Sequence, residues 1–153
     1  MAKNRHIKKV LAMVCILSCI NTSTSYANIS QNYNFKNLTI EDGLSQSTVE
    51  TIYQDSKGYI WIGTNDGLAR YNGYEFQTFR SDKNTPNTLI NNYIVDLKED
   101  NEGSIWVGTA NGISKITNHG EKITNYNEGE DKGNLSHHNI GDILVLKNGT
   151  VLV

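Results

Sequence analysis

One stretch of this chain occurs twice at a fixed step, and that repetition restricts the fold more than any other feature. Asp55-Ser56-Lys57-Gly58-Tyr59-Ile60-Trp61-Ile62-Gly63-Thr64-Asn65-Asp66-Gly67 returns 45 residues later as Asp100-Asn101-Glu102-Gly103-Ser104-Ile105-Trp106-Val107-Gly108-Thr109-Ala110-Asn111-Gly112. Upstream positions keep the step, Leu44 with Leu89, Val49 with Ile94 and Ile52 with Leu97. A third copy opens at Leu135, Ile140 and Ile143, reaches Gly149 where Gly58 and Gly103 stood, and runs Thr150-Val151-Leu152-Val153. A period of this length means that one small unit cannot bury its apolar surface alone and stacks on its neighbour.

Inside each unit the residues read as short strands parted by turn chemistry. Ile60 and Ile62 alternate with Trp61, and both faces are apolar, as in a strand buried between neighbouring sheets. The Asp-x-x-Gly before it suits a hairpin, the Asp side chain bonding backbone amides and the Gly taking positive φ. Asn65-Asp66-Gly67 and Ala110-Asn111-Gly112 make the next turn, and Asn72-Gly73 and Asn118-His119-Gly120 the one after. The expected strands are residues 49–54, 60–64, 68–71 and 75–79, with counterparts at 94–99, 105–109, 113–116 and 122–126. Val49 and Ile52, like Ile94 and Leu97, are spaced by three, which alone favours a helical turn. A helix so close to a hairpin would be marginal, so the reading is a strand that carries a bulge.

Four strands per unit at this period indicate a β-propeller blade. The fold class is therefore all-β, a partial β-propeller with two four-stranded blades plus the start of a third. Blade 1 covers residues 44–88, blade 2 residues 89–134, and the start of blade 3 residues 135–153. A β-solenoid is the rival architecture, although its coils are usually shorter than this unit. Trp61 and Trp106 could each bury about 150 to 250 Å², about 4 to 6 kcal/mol gross before entropy is deducted. An indole recurring once per unit suits packing between sheets better than ligand stacking. Gly63 and Gly108 read as places where one backbone lies close against the next.

Residues 1–27 read as a leader. Met1 to Lys9 is cationic, Val10 to Ile20 is apolar apart from Ser18, and Asn21 to Ala27 is polar and ends Ser25-Tyr26-Ala27. This pattern is that of a secretory signal peptide cleaved after Ala27. The apolar run reaches only about 16 Å as a helix, against about 30 Å of hydrocarbon. An uncleaved anchor and a lipoprotein site at Cys19 remain open as alternatives, and all three readings place residues 28 onward outside the cytoplasm. Both cysteines, Cys15 and Cys19, lie in the leader, so the exported part offers no thiol for a disulfide, zinc cluster or nucleophile. That part carries 10 basic against 16 acidic groups, a formal charge of −6. Nucleic acid is thus an unsuitable partner, because affinity for it comes largely from Lys and Arg on phosphates.

With G-x-I-W-x-G-T-x-x-G-[LI] standing twice, preceded by Leu44-Ser45-Gln46-Ser47 and by Asp55 and Asp100, the sequence resembles the two-component regulator propeller repeat family over about residues 33–153. Leu152 departs from the pattern by taking the tryptophan's place in the third copy. The resemblance implies the extracytoplasmic sensor part of a histidine kinase, classical or hybrid, or of a propeller-linked diguanylate cyclase. It further implies propellers outside the membrane, then a β-sandwich, one membrane-spanning helix and a cytoplasmic output module, with a ligand such as a carbohydrate fragment biasing the output. On this reading the chain is an N-terminal fragment of a longer protein, attached to the membrane through missing downstream segments and homodimeric when complete. Residues 28–43 form an N-terminal segment in which Tyr33-Asn34-Phe35-Lys36-Asn37-Leu38 resembles Glu75 to Phe79 and is expected as a strand donated to the closing blade.

The residues present are expected to carry no catalytic site, metal or cofactor, and no motif locates the ligand. Tyr59, Tyr71, Tyr74 and Tyr93 could stack on sugar rings but suit packing or rim positions better. His137 and His138 would point to opposite faces if extended, and read as loop residues. Asp96, Glu99, Asp100 and Glu102 form one acidic cluster, and Glu128, Glu130 and Asp131 another. Both fall beside turns without the alternating ligands of an EF-hand loop. Ser45, Ser47 and Thr48 have no histidine near them in sequence. Asn28, Asn37, Asn134 and Asn148 match the glycosylation acceptor pattern in a chain with 20 asparagines, where coincidence explains them. The main functional expectation is ligand sensing. A secreted propeller enzyme acting on glycans and a non-enzymatic adhesion or scaffold propeller are the alternatives.

Overall fold

The structure, a computed structural model, describes residues 33–117, 120–129 and 135–153. The leader, its cleavage site and Cys19 lie outside the described residues, as do Asn28, Asn118, His119, Glu130, Asp131 and Asn134. The chain divides into two units, residues 1–35 and 36–153. Of the first, residues 33–35 are described, and they adopt no regular structure.

The second unit is built from antiparallel meanders. Strands β1 (Val49–Gln54), β2 (Ile60–Thr64), β3 (Gly67–Tyr71) and β4 (Phe76–Phe79) form one four-stranded sheet in the order β1-β2-β3-β4. Strands β5 (Ile94–Glu99), β6 (Ile105–Thr109), β7 (Gly112–Thr117) and β8 (Lys122–Tyr126) form a second in the order β5-β6-β7-β8. Strands β9 (Leu144–Val145) and β10 (Val151–Leu152) pair as the opening of a third. The registers repeat: Thr64 faces Gly67 as Thr109 faces Gly112, and Leu68 faces Phe79 as Ile113 faces Tyr126. These are two complete propeller blades and the beginning of another.

The i, i+3 apolar spacing at the start of each blade is a bulged strand. The β1–β2 register shifts between Val49 and Thr51, and the β5–β6 register between Ile94 and Asp96. One extra residue reverses the alternation, so Ile94 and Leu97 both turn inward and are 0% and 1% exposed. Residues Tyr33–Leu38, expected as a strand donated to the closing blade, are irregular here. A strand requires a ladder, and among the described residues no strand pairs with this segment. A 3₁₀ turn at Ile40–Asp42 follows, with Thr39 and Asp42 exchanging capping bonds at its start.

Apolar side chains of both sheets meet to form the main core. Trp61, Leu68 and Phe79 of the first blade pack with Leu89, Ile94, Leu97, Ile105, Val107 and Ile116 of the second. Gly63 makes the approach possible, since a Cβ there would stand 2.6 Å from Ile94 Cγ2 and 2.6 Å from Thr51 Cγ2. The same arrangement recurs one step on, where Ile113, Ile140 and Ile143 are buried against Trp106 and Tyr126.

Candidate functional site

The repeated motif folds into one construction in both blades. Asp55 Oδ1 accepts the backbone N–H groups of Lys57 at 3.0 Å and Tyr59 at 2.9 Å, and so closes the β1–β2 hairpin. Asp100 Oδ1 accepts those of Glu102 at 3.0 Å and Ser104 at 2.9 Å. The other carboxylate oxygen takes the indole N–H two positions into the next strand, Trp61 to Asp55 at 2.8 Å and Trp106 to Asp100 at 2.9 Å. A buried indole N–H must find an acceptor, and the aspartate supplies it within its own blade. An aromatic ring stacks beside each indole, Phe79 and Tyr126, both with centroids 5.6 Å apart. A cation covers each one, with Arg70 Cζ 5.4 Å from the Trp61 ring centre and Lys115 Nζ 4.9 Å from that of Trp106.

Downstream, the threonine of W-x-G-T closes the next hairpin. Thr64 and Thr109, both 0% exposed, donate their hydroxyls to the carbonyls of Gly67 at 2.8 Å and Gly112 at 2.7 Å. They also accept the N–H groups of Asp66 and Asn111.

The electrostatics of the two clusters diverge. In the second, Lys115 Nζ lies 2.9 Å from Asp100 Oδ2, and Glu102 stands 3.9 Å away. Burial pushes the Asp100 carboxyl up, but the Lys115 ammonium, the Ser104 amide and the Trp106 indole outweigh it and hold the pKa at about 2. In the first, Arg70 lies over Tyr59, 4.7 Å from its ring centre, as well as over Trp61. Ser104 stands at the Tyr59 position in the second blade and offers no such ring. The corresponding cavities differ in size. The one lined by Asp55, Tyr59, Trp61 and Arg70 is about 10 Å³, and the one lined by Asp100, Trp106, Lys115 and Lys147 is about 300 Å³. A further apolar cavity of about 440 Å³ lies among Trp106, Ile113, Tyr126, Leu135 and Val151.

The other side chains singled out from sequence are dispersed. Tyr71 packs on Phe76 and donates its hydroxyl to the Gly73 carbonyl, whereas Tyr74, 95% exposed, stands in the β3–β4 turn, and Tyr93 lies on the connection leading into β5. Glu99 reaches back to the first blade and accepts from Ser56 N at 2.8 Å and Ser56 Oγ at 2.6 Å. Asp96 bonds Lys98 and accepts the Ile143 N–H at 2.9 Å, tying the second blade to the third repeat. The Ser45 hydroxyl meets that of Thr64 at 3.0 Å, and Thr48 donates its N–H to the Gln46 side chain.

His137 and His138 do lie in a loop, but their rings stack with centroids 4.7 Å apart instead of pointing to opposite faces. The strict alternation of a strand does not apply to irregular backbone. His138 Nδ1 is 2.8 Å from Glu128. Among the described residues no group of three or more His, Cys, Asp or Glu side chains is placed to hold a metal ion.

The indole-to-aspartate bond and the covering cation were not anticipated from sequence. Their signal was present: in both copies the aspartate precedes the tryptophan by six residues and the cation follows it by nine.

Comparison with known proteins bears on this construction. The family described as Two component regulator propeller matches residues 43–66 and 88–111, which contain both Asp-to-Trp clusters and both W-x-G-T turns. The chain carries repeats of the two-component regulator propeller family. A stretch of 53 residues, 35% of this propeller chain, is 45% identical to Histidine kinase P4 of Formosa agariphila. The extracellular domain of the proposed hybrid two component system BT3049 from B. thetaiotaomicron superposes with a TM-score of 0.68 over 77% of the chain at 24% identity, a likeness of fold. The propeller chain spans 4% of the length of that kinase and 17% of that extracellular domain.

Proposed function

We propose that these blades belong to an extracytoplasmic sensor that binds a ligand and relays its presence to a two-component output module. The observation that carries this reading is the propeller repeat, present in two complete copies and 45% identical over 53 residues to part of a histidine kinase. The leader pattern agrees with it, because export would put the blades where an external ligand is met. On this reading the blades act by binding and catalyse nothing themselves. The ligand is a small molecule or an oligosaccharide, and the complete protein works as a membrane-attached homodimer. Such a relay requires that the ligand bind two arrangements of the protein with unequal affinity, since equal affinity shifts no equilibrium.

Two measurements test it. Alkaline phosphatase fused behind Val153 is expected to be active in a bacterial host, and an inactive, cytoplasmic fusion would exclude the external location. The reading frame beyond Val153 is expected to contain about 20 consecutive apolar residues followed by a kinase or cyclase signature. A frame that ends without such a span removes the sensor reading.

A further inference from the structure

Asn-Gly pairs stand at Asn72-Gly73, Asn111-Gly112 and Asn148-Gly149, and the fold treats them unequally. In such a pair the backbone nitrogen of the glycine can attack the asparagine side-chain carbonyl, because no glycine side chain shields it. Asn72 lies in the β3–β4 turn, where its Oδ1 accepts the N–H groups of Tyr74 and Glu75, both at 2.9 Å. These bonds fold the side chain back over the peptide that follows it. The two donors also aim at the oxygen that turns negative when Cγ is attacked, the arrangement by which backbone amides stabilise an oxyanion. The Gly73 N–H makes no hydrogen bond among the described residues, and a Cβ on Gly73 would meet nothing within 4 Å. Asn148 is folded back in the same way, with its Oδ1 accepting the Thr150 N–H at 3.0 Å, but the Gly149 N–H is engaged by the Leu146 carbonyl at 2.9 Å. Gly112 is buried at the start of β7, where a Cβ would stand 2.5 Å from the Tyr126 carbonyl oxygen.

We propose that Asn72 is a site of spontaneous covalent modification, at which the folded turn itself promotes conversion of the asparagine to aspartate and isoaspartate. The Gly73 nitrogen bonds to Asn72 Cγ, the Cγ–Nδ2 bond breaks, and ammonia leaves with the proton of the Gly73 amide. Water then opens the cyclic imide at either of its carbonyls. The product sets a second carboxylate beside Glu75, whose Oε1 is 3.5 Å from Asn72 Nδ2, and the isoaspartate form adds a methylene to the main chain. Strand β4 follows this turn and carries Phe79, which stacks on Trp61, so the lengthened turn acts on a ring that packs the first indole. Every reacting and donating group lies within residues 72–75. The inference therefore depends neither on the remaining blades nor on the sensor reading, and failure of either leaves the other standing.

The test incubates the chain secreted by an exporting host in mildly alkaline buffer, once folded and once unfolded in urea, and follows each Asn-Gly pair by peptide mapping with isoaspartate detection. The rate in urea supplies the intrinsic reactivity of each pair. Folding is expected to leave Asn72 at least as fast as in urea. It is expected to slow Asn148 about fivefold to tenfold, the population cost of opening one hydrogen bond, and Asn111 at least as much. Asn72→Gln is expected to remove the product at this turn and with it the age-dependent change in tryptophan fluorescence. An Asn72 that reacts more slowly folded than unfolded, or an Asn148 that matches it in the folded chain, would overturn the proposal. A fluorescence change that persists in Asn72→Gln would overturn its link to Trp61.

Discussion

Trp61 and Trp106 hold the same position in successive sheets and make the same contacts, a bond to the aspartate six residues before, a stacked ring and a covering cation, yet they end in different surroundings. Trp61 is 2% exposed beside a cavity of about 10 Å³. Trp106 is half-buried and borders cavities of about 300 and 440 Å³. Each indole's polar and aromatic partners come from its own blade, whereas its sealing comes from the next. A complete four-stranded neighbour supplies Leu89, Ile94, Leu97, Ile105, Val107 and Ile116 to the first interface. The part of the third repeat within residues 135–153 supplies Leu135, Ile140, Ile143, Val145 and Val151 to the second. The difference separates what a repeat does for itself from what stacking does for it.

The largest effect that would expose this asymmetry is truncation of the indoles. Trp61→Ala is expected to cost about 3 to 5 kcal/mol in urea denaturation, and Trp106→Ala about 1 to 2 kcal/mol less because part of its ring is already wet. Equal losses would mean that the second interface is as tightly sealed as the first.

Next in size is the close approach at the glycines. Gly63→Ala places a methyl 2.6 Å from two side-chain carbons and is expected to lower stability by up to about 3 kcal/mol, the cost of overpacking. At Gly108 the nearest atoms, Ile140 Cγ2 and Ile143 Cδ1, are 3.0 and 3.2 Å away, and the same substitution should cost less. A Gly108→Ala loss as large as that of Gly63→Ala would contradict the looser second interface.

Acid should act on the second cluster through Asp100. Its folded pKa of about 2 lies below its ordinary value of 3.8, so its stabilising contribution is complete above pH 3.8 and disappears as the pH falls through 2. The difference corresponds to about 2 kcal/mol. Asp100→Asn should flatten the acid limb of a stability-versus-pH curve, and an unaltered limb would show that Lys115 does not hold the carboxylate charged.

The smallest expected effect is at the polar link between blades. Ser56→Ala removes the 2.6 Å hydroxyl bond to Glu99 and is expected to cost about 0.5 to 1 kcal/mol, since the pair is exposed to solvent. A double-mutant cycle with Glu99→Gln measures the coupling, and additive losses would reduce the contact to surface decoration.

Much of this architecture was legible in the 45-residue step. Identical strings must take identical local structure when stacked, so Ile60–Thr64 and Lys122–Tyr126 appear with the bounds read from sequence. The bulge at Val49 and Ile94 was legible too, because apolar spacing of three beside a hairpin leaves a strand few other ways to bury both residues. Tyr33–Leu38 was different: its likeness to Glu75–Phe79 suited a strand, but hydrogen bonding needs a second chain segment, and the expected partner was a closing blade that residues 1–153 do not contain. His137–His138 was read as loop and lies in one, but the stacking of the two rings follows from an irregular backbone that no local pattern specifies. The candidate binding residues stayed hidden. A recurring aromatic signals packing first, and only coordinates reveal that Lys115 pairs with Asp100 beside the indole.

Periodicity by itself determined the sheets, their hairpins and the face each indole occupies, because those depend on interactions a few residues apart and are copied with the string. Only the tertiary structure decided which copies are sealed. Burial belongs to the neighbour across the interface, so equal sequences acquire unequal exposure and cavity size wherever their neighbours differ.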